Sequence, residues 1–185
     1  MMEPIREALP CPRARMAGVV YLLYFLLAIL AEILVGRKLV VYGNTINLIA
    51  TGFYVLLTLL FYRLFKPVNK SLSLVGALFS LAGCVVMTIG IFPRVSLNIS
   101  PLLFFGPYCL LIGYLIFRST FLPRVLGVLM AFAGLGWLVF LFPAVAQHLS
   151  IYIEAFGIFA EGSLMLWLIV MGVNNQRWKE QACAA

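Results

Sequence analysis

Ala17-Gly18-Val19-Val20-Tyr21-Leu22-Leu23-Tyr24-Phe25-Leu26-Leu27-Ala28-Ile29-Leu30-Ala31-Glu32-Ile33-Leu34-Val35-Gly36 runs for twenty residues with one charged side chain, Glu32. A hydrocarbon core of about 30 Å is crossed by roughly 20 helical residues at about 1.5 Å each. The stretch therefore has the length and chemistry of a membrane span, and Arg37-Lys38 stops it. It is too long for the apolar region of a signal peptide, about 7–15 residues, and Leu30-Ala31-Glu32 makes a poor cleavage site. It is read as the first membrane helix.

Five further stretches follow the same logic: 46–65, 72–92, 101–117, 122–142 and 151–174. The breaks between them are polar or carry proline. Lys66-Pro67-Val68-Asn69-Lys70 is a charged turn, with Ser71 placed to cap the third helix. Pro93 ends that helix and Pro101 opens the fourth, where its missing N–H costs nothing. Pro143 closes the fifth. Within the fourth, Gly106-Pro107 predicts a kink or break, because proline removes a ladder hydrogen bond. The expected fold is all-α, a polytopic transmembrane bundle of six helices over 17–174, with short tails at 1–16 and 175–185.

Composition agrees with this pattern. Of 185 residues, 64% are hydrophobic and 10% charged, with mean hydropathy +1.10. A soluble chain carries about 25% charged residues, so soluble enzymes, disordered tails and collagen-like domains are excluded. The net charge of +7 is spread in ones, twos and threes between apolar runs, without the basic face of a nucleic-acid binder. Its placement is topological. With the N-terminus inside, Arg6, Arg13, Arg15, Arg63, Lys66, Lys70, Arg118, Arg124, Arg177 and Lys179 lie inside, and only Arg37, Lys38 and Arg94 outside. Basic residues collect in cytoplasmic loops, so both termini are expected in the cytoplasm. Tyr42, Tyr62, Tyr152 and Trp178 sit at span ends as interfacial anchors.

Cys11, Cys84, Cys109 and Cys183 are scattered, and no disulfide framework or metal site is expected from them. His148 is the single histidine and there is no aspartate. That excludes a bis-histidine haem within one chain, an HExxH zinc site and an aspartyl dyad. No catalytic residue and no cofactor is assigned. The Asn98-Ile99-Ser100 sequon is followed by Pro101 in a loop close to the membrane, and carries no weight.

Three of six glutamates fall inside predicted spans: Glu32, Glu154 and Glu161. A carboxyl in hydrocarbon is expensive and normally faces the bundle interior. Glu154, Gly157 and Glu161 stand at i, i+3 and i+7 on one helix face. The sharp reading is an outward-facing polar pocket for a proton or small solute, centred on Glu161. Glu154, Glu32, His148 and the tyrosines Tyr108 and Tyr114 beside Pro107 are its further candidates. The bland reading pairs Glu32 with Arg37 or Arg94 and hydrogen-bonds Glu161 to a Tyr or Ser across the bundle. Gly127, Ala131 and Gly134 on the fifth helix, and Gly76, Ser80 and Gly83 on the third, form small-residue stripes that let helices approach closely.

Phe105-Gly106-Pro107-Tyr108-Cys109, then Gly113-Tyr114-Leu115-Ile116-Phe117-Arg118-Ser119 running into Phe121-Leu122-Pro123-Arg124-Val125-Leu126-Gly127, and later Ala160-Glu161-Gly162 with Leu166-Trp167-Leu168, resemble the bacterial membrane family catalogued as domain of unknown function number 4386. Arg13-Ala14-Arg15-Met16-Ala17-Gly18 is similar to its opening and Lys66-Pro67-Val68-Asn69 to its first cytoplasmic turn. The resemblance implies an integral protein of the bacterial inner (plasma) membrane and supplies no substrate or catalytic residue. It places Glu161 at the family's small-residue–Glu position. Tyr108 stands where relatives often carry histidine.

Three functions follow. The first is binding, sensing or transport of a small solute or proton around Glu161. The second is a structural or accessory subunit, with a homo-oligomer or another membrane protein as partner besides the lipid bilayer. The third is an intramembrane enzyme on a lipid-like substrate, which the missing aspartates count against.

Overall fold

The computed structural model of the chain describes residues 10–91 and 99–184. Among them every regular element is helical: α1 (Pro10–Gly36), α2 (Val40–Phe65), α3 (Lys70–Gly90), α4 (Leu102–Arg118), α5 (Arg124–Val139), α6 (Pro143–Val170) and α7 (Asn175–Cys183). Each of the first five packs on the next, and α6 returns to pack on α1. The result is a closed up-and-down ring.

Four helices are long and apolar enough to cross a membrane, at Arg13–Gly36, Val40–Phe65, Lys70–Gly90 and Pro143–Val170. Six were expected from the sequence. Helices α4 and α5 are equally apolar but have 17 and 16 residues, about 26 and 24 Å, short of a core of about 30 Å. The outward faces are mostly apolar, as at Leu26, Leu59, Leu78, Phe132 and Phe159, all exposed. A helix that is apolar on every side belongs in a core or in lipid.

Several boundaries differ from the sequence reading. α2 starts at Val40 rather than 46, because its polar first turns are held against α1. There Gly43 is buried, and a Cβ on it would lie 2.6 Å from Val35 Cγ2 and 3.0 Å from the Ala31 carbonyl oxygen. Thr45 Oγ1 donates back to the Val41 carbonyl (2.9 Å). The cap of α3 is Asn69 and not Ser71: its Oδ1 accepts from Leu72 N at 2.9 Å, from an extended backbone that a cap requires. Pro143 opens α6 instead of closing α5, the position where a missing N–H is harmless. α6 consequently gains eight residues relative to 151 and ends at Val170 rather than 174, where Gly172 takes a left-handed φ of 68° and its N–H donates to the Trp167 carbonyl (3.0 Å). α4 runs unbroken through Pro107, which lies in the second turn and sacrifices a single ladder bond.

The tail beyond 174 contains α7, capped by Asn174, whose Oδ1 accepts from Arg177 N (3.1 Å). Trp178 Nε1 donates to the Leu64 carbonyl (3.0 Å), Asn174 N to the Phe121 carbonyl (3.4 Å), and Thr120 N to Gln181 Oε1 (3.1 Å). Arg15 reaches the Val170 carbonyl (3.4 Å). The start of α1, the end of α6, α7 and the α2–α3 and α4–α5 turns therefore share one end of the ring, with nine of the ten basic residues assigned to one side above; Arg6 lies outside the described residues. The opposite end holds Arg37 and Lys38. Arg94 and Pro93 lie outside the described residues.

The Trp178 ring closes a cleft of about 50 Å³ lined by Arg13, Met16, Leu60, Arg63 and Leu64. Trp178→Ala is expected to release α7 while leaving the ring folded. Limited trypsinolysis reads this directly, since cleavage after Arg177 and Lys179 should accelerate several-fold as the local opening free energy falls. Unchanged cleavage rates would show that the other contacts suffice to dock the helix.

Candidate functional site

The interior of the ring is filled from α1, α2 and α4 by aromatic side chains. Tyr24 and Tyr54 rings lie 4.7 Å apart between centroids, Tyr54 and Phe105 5.3 Å, Tyr21 and Phe61 6.0 Å, and Tyr54 and Tyr108 6.2 Å. These tilted and edge-on distances are those of attractive aromatic pairs. Helix α6 adds one acid to this interior. The Tyr21 hydroxyl donates to Glu161 Oε2 at 2.7 Å, joining α1 to α6. Glu161 is partly buried and Tyr21 almost wholly so.

The backbone explains why these two meet. Gly18, one turn before Tyr21, has no room for a side chain: a Cβ there would lie 2.8 Å from Ile169 N. The two helices thus touch backbone to backbone at the basic end and bring Tyr21, about 5 Å further along α1, within reach of Glu161, about 12 Å back along α6. On the other flank of α6, Trp137 of α5 lies flat on Gly157, where a Cβ would come 2.5 Å from Cζ2. Its indole is the next polar group toward the Glu161 carboxyl.

A second polar feature lies between α2, α3 and α4. Thr58 Oγ1 donates to the Tyr54 carbonyl (2.9 Å) and shares a hydrogen bond of 2.6 Å with Ser80 Oγ. The Tyr108 hydroxyl beside it is buried with no hydrogen-bond partner among the described residues. Buried hydroxyls are normally satisfied, and an orphaned one costs about 1–3 kcal/mol.

Of the residues singled out from the sequence, Glu161 and Tyr108 face the interior. Glu154, Glu32 and His148 are exposed, and Tyr114 is 48% exposed on the outside of α4. Among the described residues no carboxylate pairs with a lysine or arginine within 4.0 Å, so Glu32 does not pair with Arg37. No group of three His, Cys, Asp or Glu that could hold a metal ion occurs among the described residues. Cys84 and Cys109 are buried and free. Sequence reasoning missed Tyr21 and Trp137. Their only signals were phase: Tyr21 lies four residues before Phe25 on one face of α1, and nothing in the chain links that face to α6.

The small-residue stripes are spent inside the chain. A Cβ on Gly113 would lie 2.7 Å from Gly127 O, one on Gly127 2.6 Å from Gly113 O, and one on Gly134 2.8 Å from Gly106 O. Helices α4 and α5 are therefore in backbone contact along their length. Outside this seam they leave an apolar trough of about 270 Å³.

Residues 94–172 match the family described as Domain of unknown function (DUF4386), which supports the resemblance drawn from the sequence. The chain is also similar to an uncharacterized protein of Archaeoglobus fulgidus, 28% identical over 120 residues, covering 60% of this chain and 72% of that protein. No solved structure matches. The matched segment contains α4, α5 and α6, hence Glu161, Trp137 and the glycine seam, whereas Tyr21 lies before it.

Proposed function

We propose that the chain is an integral protein of the bacterial inner membrane that takes up a proton or a small polar solute at Glu161 from the outer side. In this reading all six ring helices cross the bilayer, α4 and α5 at a locally thinned section, and the basic end with both termini lies in the cytoplasm. The observation that carries the reading is the Tyr21–Glu161 hydrogen bond inside the ring, made by a glutamate that is only partly buried as a residue. An ionisable residue inside apolar helices, held by neutral polar side chains and not by a counter-charge, is the usual mark of a solute or proton pathway. The orphaned Tyr108 hydroxyl offers a second polar contact in the same interior. Glu154, about 10 Å nearer the far end along α6, and the exposed Glu32 and His148 give that end a polar approach.

The structural reading is favoured by one fact: Glu161 already has a partner in Tyr21. The two separate by ligand-dependent stability. Thermal unfolding of the purified protein is followed over a range of pH and with a panel of small cations and polar solutes. A ligand present at about 100 times its Kd stabilises by about 2.7 kcal/mol. The expected outcome is a pH- or solute-dependent shift in wild type that Glu161→Gln removes and Glu154→Gln keeps. A shift of equal size in Glu161→Gln, or none in wild type, leaves the structural reading standing.

A further inference from the structure

At the basic end, the α4–α5 turn and α7 enclose an open groove of about 700 Å³ lined by Arg118, Ser119, Thr120, Arg124, Arg177 and Gln181, among others. Three arginines line it. Among the described residues none of them pairs with a carboxylate within 4.0 Å, and the one acid on the rim, Glu180, accepts from Gln176 Nε2 (3.1 Å). Arg177 is braced by a hydrogen bond to the Thr120 carbonyl (3.3 Å). Arg124 lies over the Phe117 ring, 5.7 Å from its centroid.

That last contact joins the groove to the apolar trough. Phe117 lines the trough together with Tyr114 of α4 and Gly127, Val128 and Leu135 of α5. Arg124, Val128 and Leu135 stand at i, i+4 and i+11, so Arg124 heads the same face that forms the trough wall. The trough exists because Gly113 and Gly127 draw the two helices together and leave larger neighbours standing on either side. A charged groove thus sits on top of an apolar channel that runs down the outside of the bundle.

We propose that this composite site binds one anionic phospholipid, with its phosphate against Arg118, Arg124 and Arg177 and an acyl chain in the α4–α5 trough. Guanidinium groups recognise phosphate oxygens by paired hydrogen bonds, and basic pockets at the membrane surface hold anionic head groups. A free phosphate would use only the upper half of the site. The proposal rests on the bilayer placement of α4 and α5 and is independent of Glu161.

The test uses the full chain in detergent, with lipid binding read by native mass spectrometry. The probes are dioleoyl phosphatidylglycerol, dioleoyl phosphatidylcholine and glycerol 3-phosphate. Phosphatidylglycerol should bind preferentially, and R118Q/R124Q/R177Q should weaken it about 100-fold. The charge-retaining R118K/R124K/R177K, which keeps the charge but loses the paired hydrogen bonds, should bind more tightly than the glutamine variant and more weakly than wild type, and Arg124→Gln alone serves if the triple variant does not fold. Val128→Trp, which fills the trough without touching a charge, should weaken phosphatidylglycerol and leave glycerol 3-phosphate unaffected. Equal binding of the two lipids, or full binding by the glutamine variants, overturns the site. Glycerol 3-phosphate binding as tightly as phosphatidylglycerol, with Val128→Trp inert, overturns the lipid assignment in favour of a phosphate site.

Discussion

Gly127→Ala lowers the stability of the bundle by about 2–3 kcal/mol, and Gly113→Ala by a similar amount, the cost of overpacking a well-filled contact. The added methyl of Gly127→Ala would meet the Gly113 carbonyl oxygen at 2.6 Å and Phe117 N at 2.8 Å. Both are backbone atoms on the facing helix, so no side chain can turn aside and α4 and α5 must separate. The separation is shared by every contact along the seam, including Gly134 against Leu110 N at 2.8 Å. The two substitutions act on the same contact and should be far from additive, since one separation accommodates both methyls. Gly52→Ala and Gly162→Ala are the controls. Nothing stands within 4 Å of a Cβ at either position, and alanine there gains up to about 1 kcal/mol of helix propensity. Equilibrium unfolding in mixed micelles measures the difference, and Gly127→Ala tolerated as well as Gly52→Ala would refute a backbone-to-backbone seam.

Tyr21→Phe should cost about 1–3 kcal/mol, because it removes the hydroxyl donated to Glu161 and strips a carboxyl oxygen of its partner. Glu161→Gln keeps an acceptor oxygen for Tyr21 and should cost much less. Tyr21→Phe combined with Glu161→Leu removes both polar partners together and should be less harmful than Tyr21→Phe alone. A double-mutant cycle built on these variants reports the coupling. Tyr108→Phe is the internal contrast: its hydroxyl has no partner among the described residues, so its removal should be neutral or stabilising. Tyr21→Phe proving as harmless as Tyr108→Phe would mean that the α1–α6 hydrogen bond contributes nothing.

The six apolar runs were readable because a helix in lipid needs no polar face, and composition alone reports that. Boundaries were readable only where the local residue type decided them. The first turn of α2, with Tyr42, Gly43, Asn44 and Thr45, looks like a loop until Gly43 is seen packed on Val35. The first two turns of α6 are polar at Gln147 and His148 and follow a proline, so they read as a connection. α7 is too polar to register as part of the bundle. Among the residues that dock it is Trp178, which the sequence marked as an interface anchor without naming what it anchors to. The glycine stripes showed that some pair of helices lies close, and only the fold names α4 with α5. Glu161 stood out because acids are rare inside apolar runs. Its partner did not, since any of several tyrosines satisfies the same chemistry and the choice depends on how the ring closes.

That closure sets a timetable for synthesis. Tyr21 and Glu161 are 140 residues apart in the chain, so at about 5–20 residues per second the first helix waits roughly 7–28 s for the segment that completes its seam. Throughout that interval Tyr21 and the bare flank around Gly18 face lipid or whatever insertion factor shields them. Nascent chains released before α6 are therefore open sheaves of helices with one unsealed edge, the form that membrane quality-control proteases are best placed to find.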